Sequence, residues 1–272
     1  AKLDAYRQQG LLKPFGKPLP EPARKDLEKN VGIYSTLKAA GLLGENAIAT
    51  GYATPRRLAV QVSNVLSQAP DYPVREKLLP TSIAFDASGK PTAPLQKKLA
   101  SLGYADIELS TLEKSGEGKN EALYLNVIAK GAALEQTAQQ ALEQTLNKLP
   151  IAKMMHYQVL QKNGELADVE FARPAHSIIA LHGKQILNIS ALGIDAANQT
   201  EGHRFLAPGT ITIASADQYE SDLTTKAKVL PSFNQRRAFI ESALLKAAGS
   251  DLVLMPDSLL DEVTALVEWP AI

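Results

Sequence analysis

Apolar and polar positions along the chain follow two periods, one near 3.6 residues and one of 2, and together they map helices and strands in turn. Leu27, Val31, Tyr34 and Leu37 fall on one helical stripe that begins after Pro22 and should stop at Gly41. Residues 47–53 and 57–65 predict two strands about Thr54-Pro55. In the second, Leu58, Val60 and Val62 alternate with Arg57, Gln61 and Ser63, which predicts burial of the aliphatic side. A stretch holding Pro70, Pro73, Pro80, Gly89 and Pro91 reads as a long loop, leading to a helix from about Thr92 that carries Leu95, Leu99 and Leu102. Residues 123–129 predict a strand. The clearest helical period covers 133–149, with Leu134, Ala138, Ala141, Leu142, Leu146 and Leu149 on one face, and it ends before Pro150.

Two short stretches stand out from this scaffold, FARPAH at 171–176 and EGHRFLAP at 201–208. The segment between them has two apolar runs broken at His182-Gly183-Lys184, which predicts a β-hairpin turning at Gly183. That hairpin is expected to set the two stretches at neighbouring strand ends. Capping-box spacings, Ser215 with Gln218 and Ser232 with Gln235, predict two helix starts. A last helix from about Asp257 should run into a final strand at 267–272. Paired strands between helices, without regular βαβ alternation, predict an α+β fold of mainly antiparallel sheet with packed helices. Residues 1–22 are expected to be loosely held, and 23–272 to form one body that admits two subdomains meeting near residue 150.

Composition narrows the chemistry. The 272 residues carry 29 basic and 29 acidic side chains, so no global field draws in polyanions and any nucleic-acid contact must come from local clusters. Cysteine is absent, which removes disulfides, thiolate nucleophiles and Cys-ligated zinc. No apolar run approaches the roughly 20 residues that span a bilayer, and the first residues lack the layout of a signal peptide. The expected compartment is the cytoplasm.

Candidate chemistry is sparse. The histidines at 156, 176, 182 and 203 lack zinc-hydrolase spacing, so no metal site is expected. Gly116 and Gly118 in SGEGKNEA miss the nucleotide-binding patterns and fit a hairpin loop. No G-x-S-x-G elbow supports a hydrolase. Two arginine pairs, Arg56-Arg57 and Arg236-Arg237, suit bidentate phosphate contacts, or else are solvated surface charges.

ATPRRLAV (53–60), AFDASGKPT (84–92), KLPIAKMM (148–155), FARPAH, EGHRFLAP and SLLDEVTALVEWP (258–270) occur in an order and spacing that resemble the N-terminal part of the bacterial glycyl-tRNA synthetase β subunit. The resemblance implies a glycine-tRNA ligase of α and β chains, in which α forms glycyl-adenylate from glycine and ATP while β serves tRNA binding and charging. It implies no cofactor in this chain, ATP being used by the α subunit, and as partners the α subunit and tRNA(Gly) in a hetero-oligomer. Three departures stand beside it. FGKPLPEP holds Lys17 and Pro18 where the family has acids, Met155-His156-Tyr157 replaces Met-Arg-Trp, and Ser177 stands where an aromatic is common.

The expected role is therefore a tRNA-facing and subunit-facing portion of such a ligase, not catalytic alone. Contact candidates are Arg56, Arg57, Arg173, His176, His203 and Arg204. The alternative is a purely structural subunit-interaction module without RNA contact. The family continues past VEWP, so Leu259, Leu260, Val263, Leu266 and Val267 are expected to leave apolar surface uncovered.

Overall fold

The computed structural model describes residues 31–86, 89–116, 121–151, 153–161 and 164–272. The expectations for residues 1–22, the helix start at Pro22 and the FGKPLPEP departure lie outside these. The described residues divide into two compact units, one made of 31–67 together with the described part of 133–272, the other of the described part of 68–132. Residue 150, where a subdomain boundary was expected, falls inside the first.

The second unit holds a three-stranded antiparallel sheet of β3 (Tyr72–Pro80), β4 (Leu112–Ser115) and β5 (Ala122–Ala129), in the order β3-β5-β4. Helices α2 (Thr81–Ala84) and α3 (Ala93–Ser101) close one face, where Ala84, Leu95 and Leu99 pack with Leu78, Leu123 and Leu125. Strand β3 corrects the long loop expected there. Its prolines misled the reading, but β3 is an edge strand, where a missing N–H donor costs little, and Val74, Glu76 and Leu78 alternate inward against exposed Arg75 and Lys77. β4 and β5 pair from Ser115 and Ala122, so SGEGKNEA joins two strands of a hairpin.

In the first unit β1 (Ala49–Thr54) and β2 (Arg57–Val62) form a hairpin closed by Pro55 and Arg56. Its faces depart in part from the expectation: Val60 and Val62 are half-buried, but Leu58 is exposed, whereas Arg57 and Gln61 turn in. The inward polar groups have partners, Gln61 Nε2 donating to the Ala216 carbonyl at 2.9 Å and the Tyr52 hydroxyl lying 3.0 Å from Gln61 Oε1. α1 (Val31–Ala39) packs on α4 (Leu134–Lys148), whose Leu134 and Ala141 are buried as their period predicts. A second hairpin, β6 (Met155–Leu160) with β7 (Leu166–Phe171), was not foreseen, although Tyr157 and Val159 alternate inward along it.

β8 (Ile178–Ile179) is followed by the expected tight hairpin of β9 (Leu181–His182) and β10 (Gln185–Ile186), where Gly183 turns at φ +58°. β11 (Ser190–Ala191) and β12 (Ile194–Ala197) then form an antiparallel pair. β12 runs parallel to β8, with Ala196 beside Ile178. FARPAH precedes β8 and EGHRFLAP follows β12, so this pairing sets them at opposite ends of the strands and corrects their expected juxtaposition. β13 (Gln199–Glu201) and β14 (Thr210–Thr212) frame the second stretch as a hairpin of their own.

Below them Ile213, Leu223, Ala227 and Val229 form a core with Ile179, Leu181, Ile211 and Tyr219. Helix α5 (Tyr219–Thr225) starts after a short 3-10 turn, and Ser215 makes no side-chain cap. α6 (Phe233–Ala248) has the expected cap, Ser232 Oγ accepting from the Gln235 amide at 3.4 Å. α7 (Asp257–Leu266) leads into an extended tail rather than a strand, tied by the Leu230 amide to the Glu268 carbonyl at 2.9 Å. The fold is α+β and mainly antiparallel, as expected, with β8 and β12 the parallel exception.

Candidate nucleic-acid interface

Four segments meet around EGHRFLAP: the β1–β2 turn, the loop 202–209, the segment 226–230 and the tail beyond α7. Arg57 is their clasp. Its guanidinium donates through Nη1 to Glu268 Oε1 and through Nη2 to the Glu201 carbonyl, and Thr54 Oγ1 donates to the same Glu268 oxygen at 2.7 Å. The Arg57 and Glu268 side chains keep only 14% and 8% of their exposure, so this sequence candidate is spent on the fold.

Arg236 is fully buried and satisfies carbonyls on three segments, Thr264 from Nε at 3.0 Å, Leu230 from Nη1 at 2.5 Å and Ala53 from Nη2 at 2.9 Å. Burial draws its guanidinium below the usual value, with Glu268 opposing. Arg237 pairs with Asp261 at 2.7 Å and Asp257 at 2.6 Å, bonds that hold it above its usual value. Both guanidiniums of that pair are bonded within the fold. Tyr219 packs on Tyr52 at a centroid distance of 5.4 Å and senses Arg57 and Glu268, its hydroxyl pushed up to about 12, chiefly by burial.

The loop itself is built by His203. Its amide donates to the Ala227 carbonyl at 2.7 Å, and its Nδ1 accepts from the amides of Phe205 at 3.3 Å and Leu206 at 3.1 Å. Nδ1 therefore carries no proton, and the tautomer is fixed with the hydrogen on Nε2. Gly202 donates to the Gly209 carbonyl at 2.8 Å, and a Cβ in its place would stand 2.1 Å from the Ala207 carbonyl oxygen. No other residue fits there.

The sequence candidates thus separate. Arg56, Arg57, His203 and Arg204 lie on segments that the Arg57–Glu201 bond joins; Arg56 and Arg204 are exposed and make no ion pair among the described residues. Arg173 and His176 are exposed but stand at the other end of β8. Two participants were missed. Phe205 is 81% exposed, and Lys228 lies with Nζ 5.1 Å from the Trp269 ring centre. The available signal was a phenylalanine directly after His-Arg in a polar, proline-closed loop. Among the described residues no group of His, Asp and Glu could hold a metal ion, and no helix is long and apolar enough to cross a membrane.

Comparison with known proteins adds a family. The family described as Glycyl-tRNA synthetase beta subunit matches residues 19–272. The chain is 48% identical over 244 residues to the glycine-tRNA ligase β subunit of Ralstonia nicotianae, covering 88% of this chain and 34% of that protein. It is 42% identical over 271 residues to that of a Janthinobacterium species, covering 96% and 38%. Against that of Nitrosomonas eutropha it is 44% identical over 241 residues, covering 88% and 33%. The chain spans about a third of the length of the curated relatives it matches.

Proposed function

The chain belongs to the glycyl-tRNA synthetase β subunit family, and on that premise we propose that it is a tRNA-facing and subunit-facing part of a cytoplasmic glycine-tRNA ligase. It supports tRNA(Gly) binding and assembly with an α subunit, and the α subunit uses ATP to activate glycine. One observation carries the RNA-facing half of this reading: Arg56 and Arg204, both exposed and both without an acid partner among the described residues, are held on segments that Arg57 bonds together. Unpaired guanidiniums on a braced surface suit phosphate contact.

A second reading, a structural module that meets the α subunit without touching RNA, is favoured by the inward fate of Arg57, Arg236 and Arg237. Anisotropy of a labelled tRNA(Gly) transcript across a salt series separates the two. Under the first reading binding weakens with salt, and Arg56→Ala or Arg204→Ala each flattens the log–log slope by somewhat under about one unit. Binding absent at every salt, with α-subunit capture intact, selects the structural module.

A further inference from the structure

We propose that Phe205 is a stacking platform for an unpaired base of RNA, with Arg56, Arg204 and Lys228 as phosphate contacts around it. This rests on the tRNA-facing reading and names the chemistry that it would use. The loop leaves Phe205 81% and Leu206 52% exposed, yet it is not slack. His203 Nδ1 holds the amides of both residues, the His203 carbonyl accepts from Ala207 at 3.0 Å, and β13 pairs Glu201 with Thr210 at the base. A large aromatic held in water by its own backbone is preorganised, so binding does not have to order it first.

The surroundings decide which partner fits. His203 binds the Ala227 carbonyl, which brings Lys228 to the loop, and Arg57 binds the Glu201 carbonyl, which brings the adjacent Arg56. Of the acids on these segments, Glu268 is neutralised by Arg57, and Glu201 stays exposed and charged with one oxygen accepting from the Thr210 hydroxyl at 2.7 Å. What remains is a ring with three exposed cations against one exposed carboxylate, a net positive surface on segments bonded to its loop. Single-stranded nucleic acid supplies both complements at once, a π face for the ring and phosphates for the cations. An apolar protein pocket would satisfy Phe205 and Leu206 but leave the cations unmatched.

The test uses the chain described here and a fluorescein-labelled tRNA(Gly) transcript. Phe205→Ala should weaken binding on the order of tenfold without changing the salt slope, since a stacked base releases no counterions. Phe205→Trp should keep or improve affinity, and because the side chain is exposed both variants should melt with the wild type. Arg204→Ala should instead lower the slope. If the wild type binds tRNA and Phe205→Ala binds equally well, the platform is refuted while the tRNA-facing reading stands. Loss of α-subunit capture by Phe205→Ala, with tRNA affinity unchanged, would assign the ring to a protein partner. No tRNA binding by the wild type at any salt removes both readings together.

Discussion

Arg57 on β2 and Glu268 beyond α7 form an ion pair across 211 positions of sequence, with both side chains largely withdrawn from water. Removing one partner strands the other as an uncompensated charge, whereas removing both would not. Glu268→Ala should therefore cost about 3 kcal/mol by analogy with other broken buried pairs, read as a shift in the urea midpoint. The double variant Arg57→Met with Glu268→Ala should recover part of that loss. Equal stability of Glu268→Ala and wild type would mean that the pair is idle.

Asp222 gives the fold a pH dependence of known sign. Its carboxylate is held below its usual range, first by the Lys226 ammonium at 2.7 Å and also by the Ala214 amide at 3.2 Å, against the opposing effect of burial. A carboxyl that titrates lower folded than unfolded contributes fully above the unfolded value, near about pH 4, and its contribution fades as pH falls through the folded value. Urea midpoints between about pH 6 and pH 2.5 should fall more steeply for the wild type than for Asp222→Asn. Parallel profiles would show that this aspartate is not a source of acid sensitivity.

The chain alone should not form glycyl-adenylate. Sequence reading finds no phosphate-cradling motif in it, and the proposed division of labour gives that step to the α subunit. Glycine-dependent exchange of pyrophosphate into ATP should stay at background with the purified chain and appear on adding an α subunit. Robust exchange without the α subunit would overturn the assignment.

Apolar side chains crowd the end of the chain. Leu259, Val263 and Leu266 on α7 are exposed, as is Leu252 at 84%, whereas Leu260 is buried and Val267 partly so, which splits the set expected from sequence. Exposed leucines on one helix and its lead-in favour self-association. Light scattering should show a concentration-dependent rise in mass that Leu252→Ser with Leu266→Glu relieves. A monodisperse monomer at high concentration would contradict this.

Local order was legible where a single period carried the information. α4 and α6 follow from their apolar spacing and from the Ser232 cap, and the Gly183 hairpin from one turn residue. β3 was hidden because Pro73 and Pro80 read as breakers unless the strand is known to lie at a sheet edge, which is a tertiary fact. The inward turn of Arg57 was equally invisible, since its partners lie 144 and 211 positions away. Phe205 lies inside the EGHRFLAP stretch, but no period marks it. Its exposure depends on how His203 folds the loop, and no alternation of residues encodes that.

The parallel pairing of β8 with β12 also fixes how the two motif stretches can act. Arg173 precedes β8 and Arg204 follows β12, and no hydrogen bond or ion pair among the described residues links them, so substitutions at the two should add in free energy with little coupling. Any one molecule that felt both would have to reach along the strands from one end to the other. Additivity of the two substitutions would make the stretches two separate handles, each able to change without rewriting the other.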